Sequence, residues 1–241
     1  MGLRLAWATD PGLEREENED SVYVASDVGR LDALLVVADG MGGHASGQVA
    51  SRLVAETVSK ELSGDSDFGD DHLKGALAKA NTAVFEASKS RSENAGMGST
   101  VVLAAIKNQR LGLLNVGDSP AYLLRSGTIT EIYQNHSWPS EQARAGIIAE
   151  TEVANHPMKH RLARAVGVWD QVKAFTNELE LEVGDVVVLC SDGVEEAGVT
   201  IDELRELLEK DDLQAAVEQL ITVCRERGAP DNISVAAVRV E

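Results

Sequence analysis

Three apolar runs of this chain end in the same chemical event. Leu34 to Ala38 leads into Asp39-Gly40, Leu111 to Gly117 into Asp118-Ser119, and Val186 to Ser191 into Asp192-Gly193. One Asp-Gly is commonly a turn, because Asp tolerates turn conformations and Gly supplies positive φ. Three of them, each closing a run apolar enough to be buried, would gather carboxylates into one pocket if the runs are adjacent strands. Like charges at such range repel and raise each other's pKa unless a cation neutralises them. A metal site is then the economical reading. Two further acidic groups sit before strand-like runs: Arg15-Glu16-Glu17-Asn18-Glu19-Asp20 and Pro230-Asp231-Asn232. The candidate ligands are all oxygens, which suits hard divalent ions such as Mg²⁺ or Mn²⁺ and not structural zinc. No loop of the calcium-hand pattern is present.

The two cysteines, Cys190 and Cys224, are too few for a disulfide framework and lack zinc spacing. A thiol phosphotransfer chemistry needs an arginine six residues after the cysteine. Glu196 and Pro230 stand there instead.

The elements that must position these residues follow from periodicity. Val49, Leu53, Val54, Val58 and Leu62 recur at helical spacing, as do Leu73, Leu77, Ala80 and Val84, with residues 63 to 71 read as the loop between. Strand-like runs begin at residues 3, 21, 34, 99, 110, 121, 129 and 186, and a last one, ISVAAVRV, closes the chain. Asn108-Gln109 and Ser126-Gly127 separate neighbouring runs, which suits antiparallel hairpins. Leu204, Leu207 and Leu208, then Leu213, Val217, Leu220, Ile221 and Cys224, give a second helix pair. Hairpins with helices collected in two pairs indicate an α+β layered sandwich, two mainly antiparallel sheets with one helix pair outside each. At 241 residues the chain reads as one domain, 1–241.

A formal charge of −18 argues against nucleic acid or an anionic membrane as partner. It serves solubility, or reflects carboxylates gathered for cations. No stretch approaches the roughly 18 apolar residues of a membrane span and the first residues do not form a signal sequence, so the expectation is a cytoplasmic monomer.

The set Gly12-Leu13-Glu14-Arg15 with Asn18-Glu19-Asp20, Asp39-Gly40-Met41-Gly42-Gly43-His44, Met97-Gly98-Ser99-Thr100, Val116-Gly117-Asp118-Ser119, Cys190-Ser191-Asp192-Gly193 and Asp231-Asn232-Ile233-Ser234 resembles the metal-dependent protein serine/threonine phosphatases of type 2C, the PPM family, in their compact bacterial form. Each tetrapeptide alone is weak. Six in order across nearly the whole chain are highly specific. The resemblance implies a four-layer αββα sandwich with two Mg²⁺ or Mn²⁺ ions between the sheets. It implies that Asp39 bridges the ions, that the Gly40 carbonyl binds one, and that Asp192 with Asp231 binds the other. Glu19 and Asp20 match positions that hold metal-bound water, and Asp118 with Asp192 matches a third metal site. Direct attack of a metal-bridging water on phosphoserine or phosphothreonine proteins, the substrates of a cognate kinase, is the implied reaction. Arg15 would grip the substrate phosphate, against the bland reading of a surface arginine. His44 resembles the proposed general acid, against a residue capping the following helix. Residues 136–165 correspond to a flap bordering the site, against a solvated helix face.

Three positions depart from the family pattern: Pro120, Asn135 and Pro230. None removes a ligand; the third metal site and the flap are where divergence is expected. The rival function is a catalytically silent pseudophosphatase serving as a binding or regulatory module, which a lost ligand would favour.

Overall fold

The computed structural model describes residues 2–43, 46–64 and 69–241. Its strands are β1 (Leu3–Asp10), β2 (Asp20–Val28), β3 (Leu31–Met41), β4 (Gly98–Ser99), β5 (Val101–Lys107), β6 (Arg110–Val116), β7 (Ala121–Arg125), β8 (Thr128–Glu131), β9 (Phe175–Glu180), β10 (Val186–Cys190) and β11 (Ile233–Val240). They form two sheets, ordered β1-β11-β10-β7-β8 and β2-β3-β5-β6-β9, with β4 paired to β3. The helices are α1 (Ser46–Leu62), α2 (Asp70–Ser90), α3 (Trp138–Arg144), α4 (Glu150–Val153), α5 (Gly193–Glu196), α6 (Ile201–Leu208) and α7 (Leu213–Glu226).

Successive strand residues point to opposite faces, so a strand covered on both sides must be apolar throughout. β3 is such a strand. Leu34, Val36 and Ala38 pack with Val54, Val58, Leu77 and Ala80 of α1 and α2. Ala33, Leu35 and Val37 face the other sheet and share a core with Val187, Leu189, Ala236 and Val238. The outer face of that second sheet, through Val188, Val235 and Ala237, is covered by Leu204, Leu208, Val217 and Leu220 of α6 and α7. The result is the expected αββα layering.

Two hairpins close where the turn residues placed them. Asn108 and Gln109 hold φ of 50° and 67° between β5 and β6, and Ser126 and Gly127 hold 50° and 76° between β7 and β8. Paired positive φ gives a two-residue turn whose twist matches that of the strands.

Three local expectations need correction. The run starting at 129 leaves the sheet after Glu131, because the chain turns there toward the 136–165 segment. β9 lies outside the expected runs; as an edge strand it turns Phe175 and Leu179 to the core between the sheets, but Asn177 between them breaks the apolar alternation. The loop expected at 63–71 ends earlier, since α2 starts at Asp70; its first turn carries Asp70 and Asp71, which suit the positive end of the helix dipole. Residues 65–68 of that loop lie outside the described residues.

Residues 136–165 contain α3 and α4 and are closed on themselves by a bridge between Ser137 and Leu162; the chain rejoins the body just beyond them, through a bridge between Val166 and Ser99. The chain beyond them is pinned by one side chain. Asn81 of α2, 1% exposed, donates to the carbonyls of Trp169 (2.9 Å) and Asp170 (3.1 Å) and accepts from the Gly167 amide (2.8 Å). Replacing it by alanine strands the buried Gly167 amide and removes the partner of two part-buried carbonyls. Asn81→Ala is expected to lower the free energy of unfolding by about 2 kcal/mol, read as a fall in the denaturant midpoint.

Candidate functional site

Antiparallel pairing explains why distant acidic residues meet. β3 and β6 both run antiparallel to β5, so their C-terminal ends point the same way, carrying Asp39 and, just beyond β6, Asp118. β2 runs against β3 with Asp20 directly opposite Asp39. In the second sheet the end of β10 lies beside the start of β11, Cys190 opposite Val235, which brings Asp192 and Asp231 to one edge. β1 also ends there, Asp10 opposite Ile233, and residues 11–19 cross from it to β2.

Arg15, Glu19, Asp39, Gly40, Asp118, Asp192 and Asp231 line one pocket of about 670 Å³. Asp20 lies beneath it and is buried. A cavity of similar size, about 660 Å³, runs along α2 past Asp170 and Lys173 and gathers no carboxylate cluster. The acid-lined pocket is therefore the candidate. Among the described residues, however, no three acidic, histidine or cysteine side chains form a ready-made ligand cage. Asp231 turns toward Arg15, whose Nη2 donates to its Oδ2 at 2.6 Å.

Hydroxyl and amide groups hold these ends in register. Thr100 donates its amide to the Asp39 carbonyl (2.8 Å), while its Oγ1 accepts from the Asp39 amide (3.0 Å) and lies 2.7 Å from Ser119 Oγ. Ser99 Oγ donates to the same Asp39 carbonyl at 2.9 Å. The Gly40 amide donates to the Glu19 carbonyl (3.1 Å), joining β3 to the start of β2. Glu19 takes a hydrogen bond from the Gly47 amide at the N-terminus of α1, where the helix dipole favours an anion. A Cβ on Gly47 would fall 2.6 Å from the Glu19 carboxylate, and one on Gly40 would fall 2.1 Å from the Gly47 carbonyl. A side chain at Gly40 would have to move the α1 backbone, and one at Gly47 would displace the Glu19 carboxylate.

The electrostatics are those of carboxylates crowded out of water. Burial pushes Asp20 up to about 7, with Asp192 and Asp231 adding to the shift against nearby Ser234 and Ser191 hydroxyls. Burial pushes Asp118 up to about 8, with Asp192 the largest neighbouring charge. Asp192 rises to about 6, through burial and then Glu196 and Asp231. Asp39 stands well above the usual carboxylate range, through burial, then Asp20, Asp192 and Asp118, and it is close enough to Asp192 to share a proton. Both oxygens of Asp20 and Oδ1 of Asp192 are buried without a hydrogen-bond partner. An all-oxygen set with orphaned acceptors and shared protons fits hard divalent cations, whose charge would reverse the local pKa logic.

The remaining expected residues place as follows. His44 lies outside the described residues. Pro120, buried beside Asp118, uses the one group it retains, its carbonyl accepting from the Cys190 amide at 3.0 Å. Asn135 Oδ1 accepts from the Ser137 amide (2.7 Å) and so starts α3. His136 ties the flap segment to the Asp118 loop. Its Nδ1 accepts from the Gly117 amide (3.2 Å) and its own amide donates to the Gly117 carbonyl (2.9 Å). Burial, with Arg164 and Arg144 nearby, lowers this imidazole to about 3, so it stays neutral. Thr100, Ser119 and Asn232 hold the site yet were assigned no role from sequence; their presence in the quoted motifs was the available signal.

An acid-lined pocket at one end of an αββα sandwich is the arrangement of the protein phosphatase 2C family, whose model matches residues 14–236. The chain belongs to that family. It is 34% identical over 240 residues to the serine/threonine protein phosphatase PstP of Mycobacterium tuberculosis, covering 99% of this chain and 45% of that protein. It is 33% identical over 242 residues to the serine/threonine phosphatase stp of Listeria welshimeri, covering 98% of this chain and 95% of the relative. A crystal structure of the PstP catalytic domain in complex with two manganese ions superposes with a TM-score of 0.85 at 33% identity, covering 99% of each chain. The chain thus spans about half the length of the mycobacterial relative.

The raised carboxylates set a pH dependence. In chelator, Asp20 keeps its proton in the folded protein up to about 7, whereas the unfolded chain loses it near 3.8. Stability present at low pH is therefore lost as pH rises through that window. The unfolding midpoint of the chelated protein is expected to fall between about pH 4 and pH 7, and Asp20→Asn to remove part of that fall, in thermal melts followed by circular dichroism.

Proposed function

We propose that this chain is a metal-dependent protein serine/threonine phosphatase that hydrolyses phosphoserine and phosphothreonine by direct attack of water. The observation that carries the proposal is the convergence of Asp39, Asp118, Asp192 and Asp231 from both sheets on one pocket that also holds the half-exposed guanidinium of Arg15. Family membership supports it. Asp39 would be shared by two ions, with the Gly40 carbonyl holding one and Asp192 and Asp231 the other. Asp20 and Glu19 would hold water around them, and Asp118 with Asp192 would offer a third position. The ions, Mg²⁺ or Mn²⁺, supply a water of lowered pKa and charge to neutralise the phosphoryl oxygens.

The chain's own residues do the rest. Arg15 carries five donors in a planar fork and can grip two phosphoryl oxygens at once. Its ion pair with Asp231 is half-exposed, so it is a weak competitor for that fork. His44 is assigned as the acid that protonates the leaving alkoxide, on the resemblance alone. The 136–165 segment serves as a flap: His160 and Arg161 from it line the pocket, and His160 Nδ1 pairs with Glu196 at 2.8 Å. The setting, a monomer in the cytoplasm acting on the substrates of a cognate kinase within a single catalytic domain, belongs to the same proposal. The pseudophosphatase reading draws on no observation, since none of the expected carboxylates is replaced.

Turnover of p-nitrophenyl phosphate or a phosphothreonine peptide should require Mn²⁺ or Mg²⁺ and disappear in excess chelator. Asp39→Asn and Asp192→Asn are each expected to lower kcat/KM at least about a thousandfold. Activity that survives chelation would overturn the proposal. For Arg15→Ala we expect KM for the phosphopeptide to rise about tenfold. Mn²⁺ affinity measured by titration calorimetry should stay within about fivefold, as the exposed pair with Asp231 is worth at most about 1 kcal/mol.

A further inference from the structure

Residues 11–19 form the crossing between the sheets, and most of them are exposed: Leu13 is 55% exposed and the Arg15 side chain 51%. Such a loop would ordinarily be loose. The Leu13 amide donates to the Ala229 carbonyl (2.9 Å) and Asn18 Nδ2 to Thr9 Oγ1 (2.8 Å), and a single buried side chain adds three further contacts from inside. Asn232, 5% exposed, accepts from the Glu19 amide at Oδ1 (2.8 Å) and donates from Nδ2 to the carbonyls of Pro11 and Glu17, each at 2.9 Å. The three contacts grip the loop at its start, beyond its middle and at its end, and Arg15 lies between them. The grip is close: Gly12, at φ +79°, passes so near that a Cβ there would fall 2.3 Å from the Asp231 carbonyl. From its other side the Asn232 carbonyl accepts from Ser191 Oγ (3.4 Å) and packs against Gly193, flanking Asp192.

Arg15 has one side-chain anchor of its own, the ion pair with Asp231. A guanidinium turned to a substrate phosphate gives up part of that anchor, and the loop backbone must then set where it points. We infer that Asn232 is the positioning residue for Arg15: its carboxamide fixes the 11–19 backbone so that the guanidinium stands over the acid-lined pocket. This rests on the assignment of Arg15 to substrate phosphate. A primary amide is needed because the loop offers one donor and two acceptors at that point, which neither aspartate nor a hydroxyl can satisfy.

The test is a double-mutant cycle in the full chain loaded with Mn²⁺, read by calorimetric titration of inorganic phosphate, with Asn81→Ala as a buried-asparagine control remote from the pocket. Asn232→Ala is expected to weaken phosphate binding about tenfold while Mn²⁺ affinity stays within about threefold. Arg15→Ala/Asn232→Ala should then be no weaker than Arg15→Ala by more than about twofold, because one interaction cannot be lost twice. In the metal-free protein, Asn232→Ala should speed amide hydrogen exchange across residues 11–19 with little change elsewhere. If Asn232→Ala does not unfold cooperatively, Asn232→Ser, which keeps a single contact, takes its place with a smaller effect in the same direction. Additive losses in the cycle, a loss of Mn²⁺ binding as large as that of phosphate, or an equal phosphate effect from Asn81→Ala would each overturn the inference. Failure of Arg15→Ala itself to weaken phosphate binding would instead overturn the assignment of Arg15.

Discussion

The structure depends on holding like charges together. Burial first, and then the charge of neighbouring carboxylates, lifts Asp20, Asp39, Asp118 and Asp192 above the usual carboxylate range. A fold tolerates such a group only if the scaffold around it is stiff and over-determined. The apolar layers supply that stiffness: Leu34, Leu35, Val36 and Val37 are fully buried on both faces of β3 immediately before Asp39. The stability given up at the strand ends is offset by the three cores behind them.

The layering was legible in the sequence because both its periodicities were clean. Continuous apolar runs marked the strands covered on both faces, and the 3.6-residue repeat of Val54, Val58 and Leu62 marked a helix covered on one. β9 was harder to read: its core-facing Phe175 and Leu179 are separated by Asn177, and Thr176-Asn177-Glu178 taken alone reads as a loop. Asp39, Asp118 and Asp192 could be picked out because each follows a buried run. That Asp20 lies directly across from Asp39 is a matter of register, which the sequence does not state.

The supporting polar groups were the least legible part of the site. Thr100, Ser119 and Asn232 are ordinary residues whose meaning comes from partners 61, 19 and 213 residues away, respectively Asp39, Thr100 and Glu19. No local pattern encodes such distances. At Pro120 and Asn135 the residue present supplies the contact through its own atoms, the Pro120 carbonyl and the Asn135 Oδ1.

The exposed guanidinium of Arg15 has a kinetic consequence. The chain carries a net charge of −18, so an anionic substrate of the kind proposed would approach against a repulsive field that extends about a Debye length from the surface. An outward-facing cation at the rim of the pocket creates a local gap in that field, a landing point at which collisions become productive. Added salt would then hasten capture of an anionic partner by thinning the surrounding repulsion, the reverse of its effect on complexes that attract at long range.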